Sequence, residues 1–497
     1  MPPSKTLQPP AGQGALPALP QASQGCAMAA PIGSLLQRSP LQIDPQASIR
    51  SAAGRMAAAG VSSILLTRDG RLLGLVTDRD LRQRVVAAGI DTERPVADVA
   101  TPAPMTLQRH QPLFDALLLM ARSNIHHVPV LEGEALVGMV TASDLGRLQS
   151  TSAVHLTQDI HQQPDLAGLV ACSGRVRHLQ AGLARADTSA YNTGLIISSV
   201  TDAFTLRLIQ LAEQDLGAPP VPYAWVAAGS QARMEQAART DQDNGLILSD
   251  DYRPAEHGDY FARLARFVCD GLHACGYVHC PGDIMASNEA WRQPRRRWDE
   301  YFRKWVHQPD AAALMLTGVF FDLRAVHGDA QLLRTLRLAM LERTRGNGLF
   351  LAHMVGNALG QRPPLGLFGR IAVERGGAHP GTVDLKHGGI VPIIDLARIH
   401  ALAGGVEAVN TRERLLAVAD GGEVSPQAAR DLIDTLEFIA ALRIAHQSRQ
   451  TDAGQQPDNH LRLAELSGFE RSTLRDAFKV VRELQAVLGQ RYQTGRL

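Results

Sequence analysis

Two short segments near the N-terminus share one pattern of apolar and polar positions. GLVTDRDL at residues 74–81 aligns with GMVTASDL at residues 138–145, an offset of 64 residues. The same offset aligns the apolar runs at 60–66 and 124–130, and a stretch with helical spacing precedes each run. Each copy is therefore predicted to form a helix, a strand, a tight turn, a second strand and a helix.

The rest of the chain shifts from mixed patterns to helical ones. Residues 1–30 are rich in Pro, Gln, Ala and Ser without any period, so we expect a disordered tail. A polar stretch at about 150–165 predicts a linker, and two helical patterns follow, near 166–186 and 194–216. An apolar strand then ends at Gly229–Ser230.

From residue 329 onward, apolar residues recur at helical spacing, which predicts a bundle of helices. The helical patterns lie at 329–345, 349–360, 392–404, 409–419, 426–448, 459–466 and 470–489. We expect a multidomain α/β and α protein. Its predicted parts are a disordered tail (1–30), the paired repeat (31–150), an α/β domain (151–328) and a helical C-terminal domain (329–497).

Composition narrows the classes of function. The 497 residues hold 50 Lys and Arg against 49 Asp and Glu, a formal charge of +1, which argues against a dedicated nucleic-acid binder. Five cysteines without a CxxC pair are too few for a disulfide scaffold. The sequence contains no uninterrupted run of 18 apolar residues, so it predicts no membrane-spanning helix. We expect a cytoplasmic protein that contacts no membrane.

The clearest chemical signal is AAGSQARMEQAARTDQDNGLIL at residues 227–248. Gly229 and Ser230 lie where a strand turns into a short helix, so the backbone and the hydroxyl can approach a phosphate. Asp241 and Asp243 open the next apolar strand, and strand alternation puts both carboxylates on one face. Such a pair is stable with a cation between its members, and Mg²⁺ bound to carboxylates and triphosphate oxygens is the usual solution.

This stretch resembles the polymerase-β nucleotidyltransferase superfamily, and more closely its branch with the PII-protein uridylyltransferases. CPGDIMASNEAW at 280–291 and FFDLRAVHGD at 320–329 are similar to bacterial signal-transduction nucleotidyltransferases joined to CBS pairs. The resemblance implies that Gly229 and Ser230 hold the triphosphate of an NTP substrate and that Asp241 and Asp243 are catalytic Mg²⁺ ligands.

The superfamily adds a third carboxylate that acts on the attacking hydroxyl. Asp322 is our first choice, because an Asp that closes an apolar run needs a partner. Asp283 is the second choice. Arg233 is expected either to contact a phosphate or to form a local ion pair with Glu235.

The paired repeat resembles a CBS-domain pair. The resemblance implies clefts for an adenosine nucleotide (AMP, ADP or ATP), in which Thr77 and Asp80, and Thr141 and Asp144, contact ribose and phosphate. The alternative is structural, because a Thr followed three residues later by an acidic residue is close to a helix capping box. Both roles can coexist.

Two functions from different classes remain open. The first is a Mg²⁺-dependent nucleotidyltransferase that modifies a protein or small-molecule hydroxyl and is regulated by an adenine nucleotide at the CBS pair. The second is a non-catalytic nucleotide sensor in signal transduction that has kept the transferase fold. The third carboxylate discriminates between them. The CBS resemblance also implies a homodimer.

Overall fold

A computed structural model describes residues 30–36, 39–146, 152–238, 240–366, 369–374, 376 and 378–492. Apart from Ala30, the predicted N-terminal tail lies outside the described residues.

The repeat folds as two similar units whose elements keep the offset of 64 or 65 residues. The first unit contains strands β1 to β4 in spatial order, and the second contains β5 to β7. In each unit the first strand is parallel to the second, which forms an antiparallel hairpin with the third. The strands are β1 (Gln42–Ile43), β2 (Ser63–Arg68), β3 (Arg71–Thr77), β4 (Thr101–Pro102), β5 (Leu107–Gln108), β6 (His127–Glu132) and β7 (Ala135–Thr141).

Each unit of the repeat also contains helices, and the first helix of each unit packs through one apolar side. Apolar residues at helical spacing are buried on one side of the first helix of each unit, which begins after the short first strand. The helices are Ile49–Ala59, Asp78–Asp80, Leu113–Ser123 and Ala142–Gly146, a π-helical stretch covers Leu81–Val86, and 3₁₀ turns cover Ile32–Leu35 and Val96–Val99. The predicted repeat of two similar units is thus present in the fold.

A second, mixed sheet forms the centre of the chain. Its spatial order is β12 (Arg292–Pro294), β10 (Asn244–Leu248), β8 (Tyr223–Ala228) and β13 (Leu323–Gly328). β10 and β13 flank β8 as antiparallel neighbours, and β12 is parallel to β10. A separate two-stranded parallel ladder joins β9 (Asp241–Gln242) to β11 (Val278–His279).

Strand alternation divides the central sheet between two cores. Tyr223 and Trp225 face one core with the helices that precede and follow the sheet, whereas Ala224 and Val226 face the core of the C-terminal helices. The helices of this central part are Ser152–Gln162, Leu166–Ser173, Arg175–Arg185, Ala190–Leu216, Gly229–Ala232, Pro254–Ala274, Arg295–His307 and Ala311–Phe320, with a 3₁₀ turn at Glu289–Trp291.

The C-terminal part is mostly helical, as expected. Its helices are Ala330–Thr344, Gly348–Ala358, Val391–Gly404, Thr411–Asp420, Pro426–Asp452 and Gly468–Arg491, with a π-helical stretch at Lys386–Ile390 and a 3₁₀ turn at Leu463–Glu465. The helix predicted at 459–466 is wrong, because β15 (His460–Arg462) pairs there with β14 (Thr382–Asp384). This pairing buries Leu461 against Val383.

The polar linker predicted at about 150–165 is also wrong in its described part. Residues Ser152–Gln162 form a helix, and Val154, Leu156 and Ile160 are fully or almost fully buried. This helix packs against the helix Ala190–Leu216, as does Leu113–Ser123 of the second repeat unit. One continuous apolar core therefore links the CBS pair to the central domain.

The helix Ala190–Leu216 is long and apolar enough to cross a membrane by length and composition, but 72% of its most apolar window is buried inside the protein. It serves as a core helix between the CBS pair and the central sheet.

Candidate functional site

Gly229 brings the end of β8 against the carboxylate of Asp243. Its backbone φ is +56°, a left-handed conformation that residues with side chains rarely adopt. A Cβ at this position would lie 2.9 Å from Asp243 Oδ2, which is closer than real Cβ contacts. The amide of Ala228 also donates to the Asp243 carbonyl at 2.9 Å. The turn at Gly229 and the acidic segment thus form one unit.

Side chains of the acidic segment, residues 241–244, point alternately into the core and into the site. Gln242 is buried and donates through Nε2 to the carbonyls of Cys269 and Tyr277, at 2.9 and 3.0 Å. Asn244 is buried as well, and its Oδ1 accepts from the Ala286 amide at 2.8 Å. Asp241 and Asp243 stay half-buried at the odd positions between them. The predicted common face of the two carboxylates is therefore present.

A thiol completes this group. One ligand atom from each of Asp241, Asp243 and Cys280 lies within 4.8 Å of the others, an arrangement that could hold a metal ion. The residue types fit a divalent cation, because two carboxylate oxygens lie close together in a half-buried site.

Burial and the neighbouring charge of Asp241 raise the pKa of Asp243 to about 6. The interactions of Asp243 with Cys280 and with the positive charges of Lys386 and Arg233 lower it again, but by less. Burial and the charge of Asp243 raise the pKa of the Cys280 thiol to about 11. A bound cation would offset both the burial and the neighbouring negative charge that raise these two pKa values.

Asp322 does not fit the predicted role of third carboxylate. It is completely buried and lies among three arginines. Arg233 and Arg398 approach Asp322 Oδ2 at 2.7 Å each, and Arg414 approaches Oδ1 at 2.7 Å. These charges hold its pKa far below the usual range, against the effect of burial. The residue therefore joins the central sheet to the C-terminal helices instead of facing an acceptor.

Arg233 forms the local ion pair with Glu235 that was one of its two expected roles. Its Nε donates to Glu235 at 2.9 Å and its Nη1 donates to Asp322 at 2.7 Å, while the residue is 7% exposed. Glu235 accepts in turn from the Thr411 amide at 2.7 Å. The guanidinium is thus part of the same contact between domains.

Asp283, the second choice, lies in the turn after Cys280. It is exposed, has a φ of +54°, and its Oδ2 accepts from Asn288 Nδ2 at 2.9 Å. Its amide donates to the Cys280 carbonyl at 2.9 Å. It fixes the turn and is not a member of the convergent group described above.

Lys386 is a site residue that the sequence analysis missed. It begins a π-helical stretch, is half-buried, and lines a pocket together with Ser230 and Thr240. Its charge lowers the pKa of Asp243, so the ammonium group lies within electrostatic range of the carboxylate pair. Only the fold brings residue 386 near residue 243, and a single lysine so far along the chain from residues 227–248 gives no sequence signal.

The same pocket lies between the central domain and the C-terminal helices. Tyr191 and Met234 line it from one side, and apolar side chains of the C-terminal part line it from the other: Ile390, Ile394, Ile433, Leu436 and Ala440. Arg412 and Arg443 add positive charge, and burial lowers the pKa of Arg443 to about 10.

In the CBS pair, both Thr-x-x-Asp elements cap helices. Thr77 and Asp80 form a complete capping box, in which the Thr77 amide and hydroxyl donate to Asp80 Oδ2 at 2.9 and 2.7 Å. Thr141 and Asp144 repeat the same contacts at the same distances. The structural alternative is therefore realised in both units.

A cleft opens at the first of these elements. Thr77, Asp80 and three arginines (Arg79, Arg82 and Arg84) line it from the first unit, and His126 and His127 line it from the second. Burial and the charge of Arg79 lower the pKa of His126. This cleft also touches Ser123 and Asn124, the end of the helix that packs on the central domain.

The fold and the two sites define a multidomain protein with a CBS pair, a central α/β domain and a helical C-terminal part. Three family models match successive parts of the chain. The CBS domain model matches residues 32–87 and 96–149. The model described as "Putative nucleotidyltransferase DUF294" matches residues 144–312, and that described as "Putative nucleotidyltransferase substrate binding domain" matches residues 348–492.

Individual relatives match the CBS pair. The CBS domain-containing protein YhcV of Bacillus subtilis is 34% identical over 103 residues, which cover 21% of this chain and 74% of that protein. The chain therefore belongs to the CBS-domain-containing proteins, and its central and C-terminal parts match the two DUF294 family models.

Two solved structures match the same region. An uncharacterized conserved protein from Pyrococcus horikoshii is 30% identical, with 24% of this chain and 93% of that chain covered and a TM-score of 0.24. A CBS domain protein from Pyrobaculum aerophilum, solved in complex with AMP, is also 30% identical, with 26% and 97% covered and a TM-score of 0.23.

Proposed function

We propose that this protein is a Mg²⁺-dependent nucleotidyltransferase that moves a nucleoside monophosphate from an NTP to a hydroxyl of a protein or small molecule. The observation that carries the proposal is the contact between Gly229 and Asp243. The turn at Gly229, where the backbone is open to a triphosphate, lies next to the carboxylates of Asp241 and Asp243, which can bind a cation.

The residues of the site then divide the tasks of the reaction, and the carboxylate pair has two of them. Asp241 and Asp243 would hold Mg²⁺, which when bound neutralises the triphosphate and stabilises the leaving pyrophosphate. The Gly229–Ser230 backbone and the Ser230 hydroxyl orient the phosphates, and Lys386 offsets their charge from the C-terminal side. A carboxylate oxygen of the pair accepts the proton of the attacking hydroxyl.

The acceptor would enter through the pocket between the domains. Its far wall comes from residues within 348–492, the range matched by the substrate-binding family model. Apolar side chains such as Ile394 and Leu436 exclude water, while charged side chains of both signs offer polar contacts to an acceptor: Arg412, Arg443, Glu235 and Glu437. Such a wall supports the assignment of this pocket to the acceptor.

For regulation, we propose that the cleft at Thr77 and Asp80 binds an adenosine nucleotide. The cleft offers three arginines for phosphate, and among the residues that the structure describes Arg84, at 3.3 Å, is the ion-pair partner of Asp80 Oδ1. A ribose could replace this half-exposed arginine. We also propose a cytoplasmic homodimer formed through the CBS pair, where Val86 and Met105 are 78% and 54% exposed.

The second function, a nucleotide sensor without catalysis, has one observation in its favour. Asp322 is occupied by arginines, so among the described residues the convergent group holds two carboxylates and a thiol instead of three carboxylates. A sensor would bind the triphosphate and transfer nothing.

One experiment separates the two functions. The intact protein is incubated with each α-labelled NTP, Mg²⁺ and cell extract, and transfer of label is compared with that of Asp241→Asn. Transfer by the unmodified protein alone supports the enzyme. Mg²⁺-dependent binding of the triphosphate without transfer or pyrophosphate release would favour the sensor.

A further inference from the structure

The third member of the carboxylate group is a sulfur atom, and backbone register holds it there. β9 and β11 pair in parallel, with Asp241 opposite Val278 and Gln242 opposite His279. One residue further along, Asp243 meets Cys280, and one ligand atom from each of the three residues falls within 4.8 Å of the others.

The segment that carries Cys280 is braced on several sides. Trp291 Nε1 donates to the carbonyl of Asp283 at 3.0 Å, and Asn288 Nδ2 donates to the Asp283 side chain at 2.9 Å. The amide of Asn244 donates to the Ile284 carbonyl at 3.2 Å. The position of the thiol is therefore set by the fold.

We propose that Cys280 Sγ is a third protein ligand of the cation, so that the site binds a borderline cation such as Zn²⁺ or Co²⁺ more tightly than Mg²⁺. The proposal deepens the proposed function and rests on it for the location of the cation. It gives the transferase a mixed oxygen and sulfur site whose occupant depends on the available metals.

Ligand chemistry supports the preference. Mg²⁺ takes oxygen ligands in near-octahedral geometry, and sulfur does little for it, whereas thiolates favour Zn²⁺ and related cations. When such a cation binds, a bond forms from Sγ to the metal and the thiol proton passes to solvent. Asp241 and Asp243 supply oxygen ligands to either kind of cation.

The test uses optical titration of the intact, reduced protein with Co²⁺. A Co²⁺–thiolate bond gives a charge-transfer band in the near ultraviolet that carboxylate ligands do not give. Cys280→Ser should remove this band and raise the Co²⁺ dissociation constant about tenfold or more, while changing the Mg²⁺ dissociation constant by less than about twofold. Cys172→Ser, at a buried cysteine outside the convergent group, is the matched control.

A second measurement needs no variant. Saturating Zn²⁺ should protect Cys280 from alkylation in the unmodified protein, measured by peptide mass spectrometry, and saturating Mg²⁺ should not. Co²⁺ binding without a thiolate band, or equal alkylation with Zn²⁺ and Mg²⁺, would overturn the role of Cys280 and leave the proposed function intact. If Asp241→Asn binds triphosphate with Mg²⁺ as well as the unmodified protein does, the proposed function itself fails.

Discussion

Gly229 leaves the space that the carboxylate of Asp243 occupies. A Cβ on residue 229 would meet Asp243 Oδ2 at 2.9 Å, and the backbone there already has a φ of +56°. Residue 229 must therefore be glycine for two reasons: the turn needs a positive φ, and the Asp243 carboxylate occupies the space of a side chain. Cation binding and triphosphate binding should depend on it together.

We predict that Gly229→Ala destabilises the protein by about 1–3 kcal/mol and lowers Mg²⁺ affinity about tenfold, because the new methyl group displaces Asp243. Chemical denaturation and calorimetric Mg²⁺ titration measure the two effects. Gly454→Ala is the matched control, since that glycine has a φ of +69° and nothing within 4 Å of a Cβ. Unchanged Mg²⁺ affinity in Gly229→Ala would contradict the coupling of the turn to the carboxylate.

Lys386 should act on the triphosphate and not on folding. We predict that Lys386→Met raises the triphosphate dissociation constant about tenfold to 100-fold, the usual contribution of a charged hydrogen bond, with little change in melting temperature. Lys386→Arg keeps the charge and should lose much less. Isothermal titration with a triphosphate and with the matching monophosphate gives the comparison. Equal losses for both nucleotides would mean that Lys386 does not contact the β or γ phosphate.

The local parts of the fold and site could be read from the sequence. The repeat offset located the paired strands, and the helix predicted before the apolar run at 124–130 is observed as Leu113–Ser123. Alternation placed Asp241 and Asp243 on one face because it is a property of neighbouring residues. β15 was missed because a three-residue strand is stabilised by its partner, β14, 76 residues or more away in the chain.

The remaining errors concern charges that meet only after folding. The sequence shows Asp322 at the end of an apolar run, which correctly indicates a carboxylate in need of partners. The partners are Arg233 from the central domain and Arg398 and Arg414 from the C-terminal helices. The sequence alone does not show whether the positive partner of Asp322 is a set of arginines or a bound cation. Lys386 was missed for the same reason.

The cluster around Asp322 predicts a pH dependence. We expect Asp322→Asn to destabilise the protein by about 3–5 kcal/mol at pH 7, because it leaves buried guanidinium groups without their carboxylate. The folded-state pKa of Asp322 is far below its unfolded value, so its contribution is complete above about pH 4 and is lost as pH falls further. The difference between the two proteins should therefore be constant from pH 8 to pH 5 and shrink below pH 4.

Urea denaturation at each pH measures this difference. Asp250→Asn is the control, since Asp250 pairs with Arg295 and Arg296 at the surface and should contribute about 0–1 kcal/mol. A difference of the same small size for Asp322→Asn would show that its arginines find other partners.

The last prediction concerns communication between the two nucleotide sites. The cleft at Thr77 and Asp80 touches Ser123 and Asn124, where the helix Leu113–Ser123 ends. That helix packs on Ala190–Leu216, as part of one apolar core. From there, Asp202 accepts from Gln231 Nε2 at 3.0 Å, and Gln231 follows Ser230 directly. A ligand that shifts the helix Leu113–Ser123 can therefore move the turn at Gly229–Ser230 through packed contacts.

We predict that saturating AMP changes the dissociation constant of a non-adenine triphosphate such as UTP about 5-fold to 150-fold in the intact chain, and that UTP changes AMP affinity by the same factor. Asp80→Asn should abolish the effect by weakening AMP binding. Asp202→Asn should reduce the coupling, because Asp202 touches neither cleft but bonds Gln231 directly and also pairs at 2.9 Å with Arg324, which donates to the Gln231 carbonyl. Asp215→Asn, an 83% exposed position on the same helix, is the matched control. A coupling smaller than about twofold in the unmodified protein would reduce the CBS pair to an assembly module, because a regulator must bind the two states of the site with different affinity.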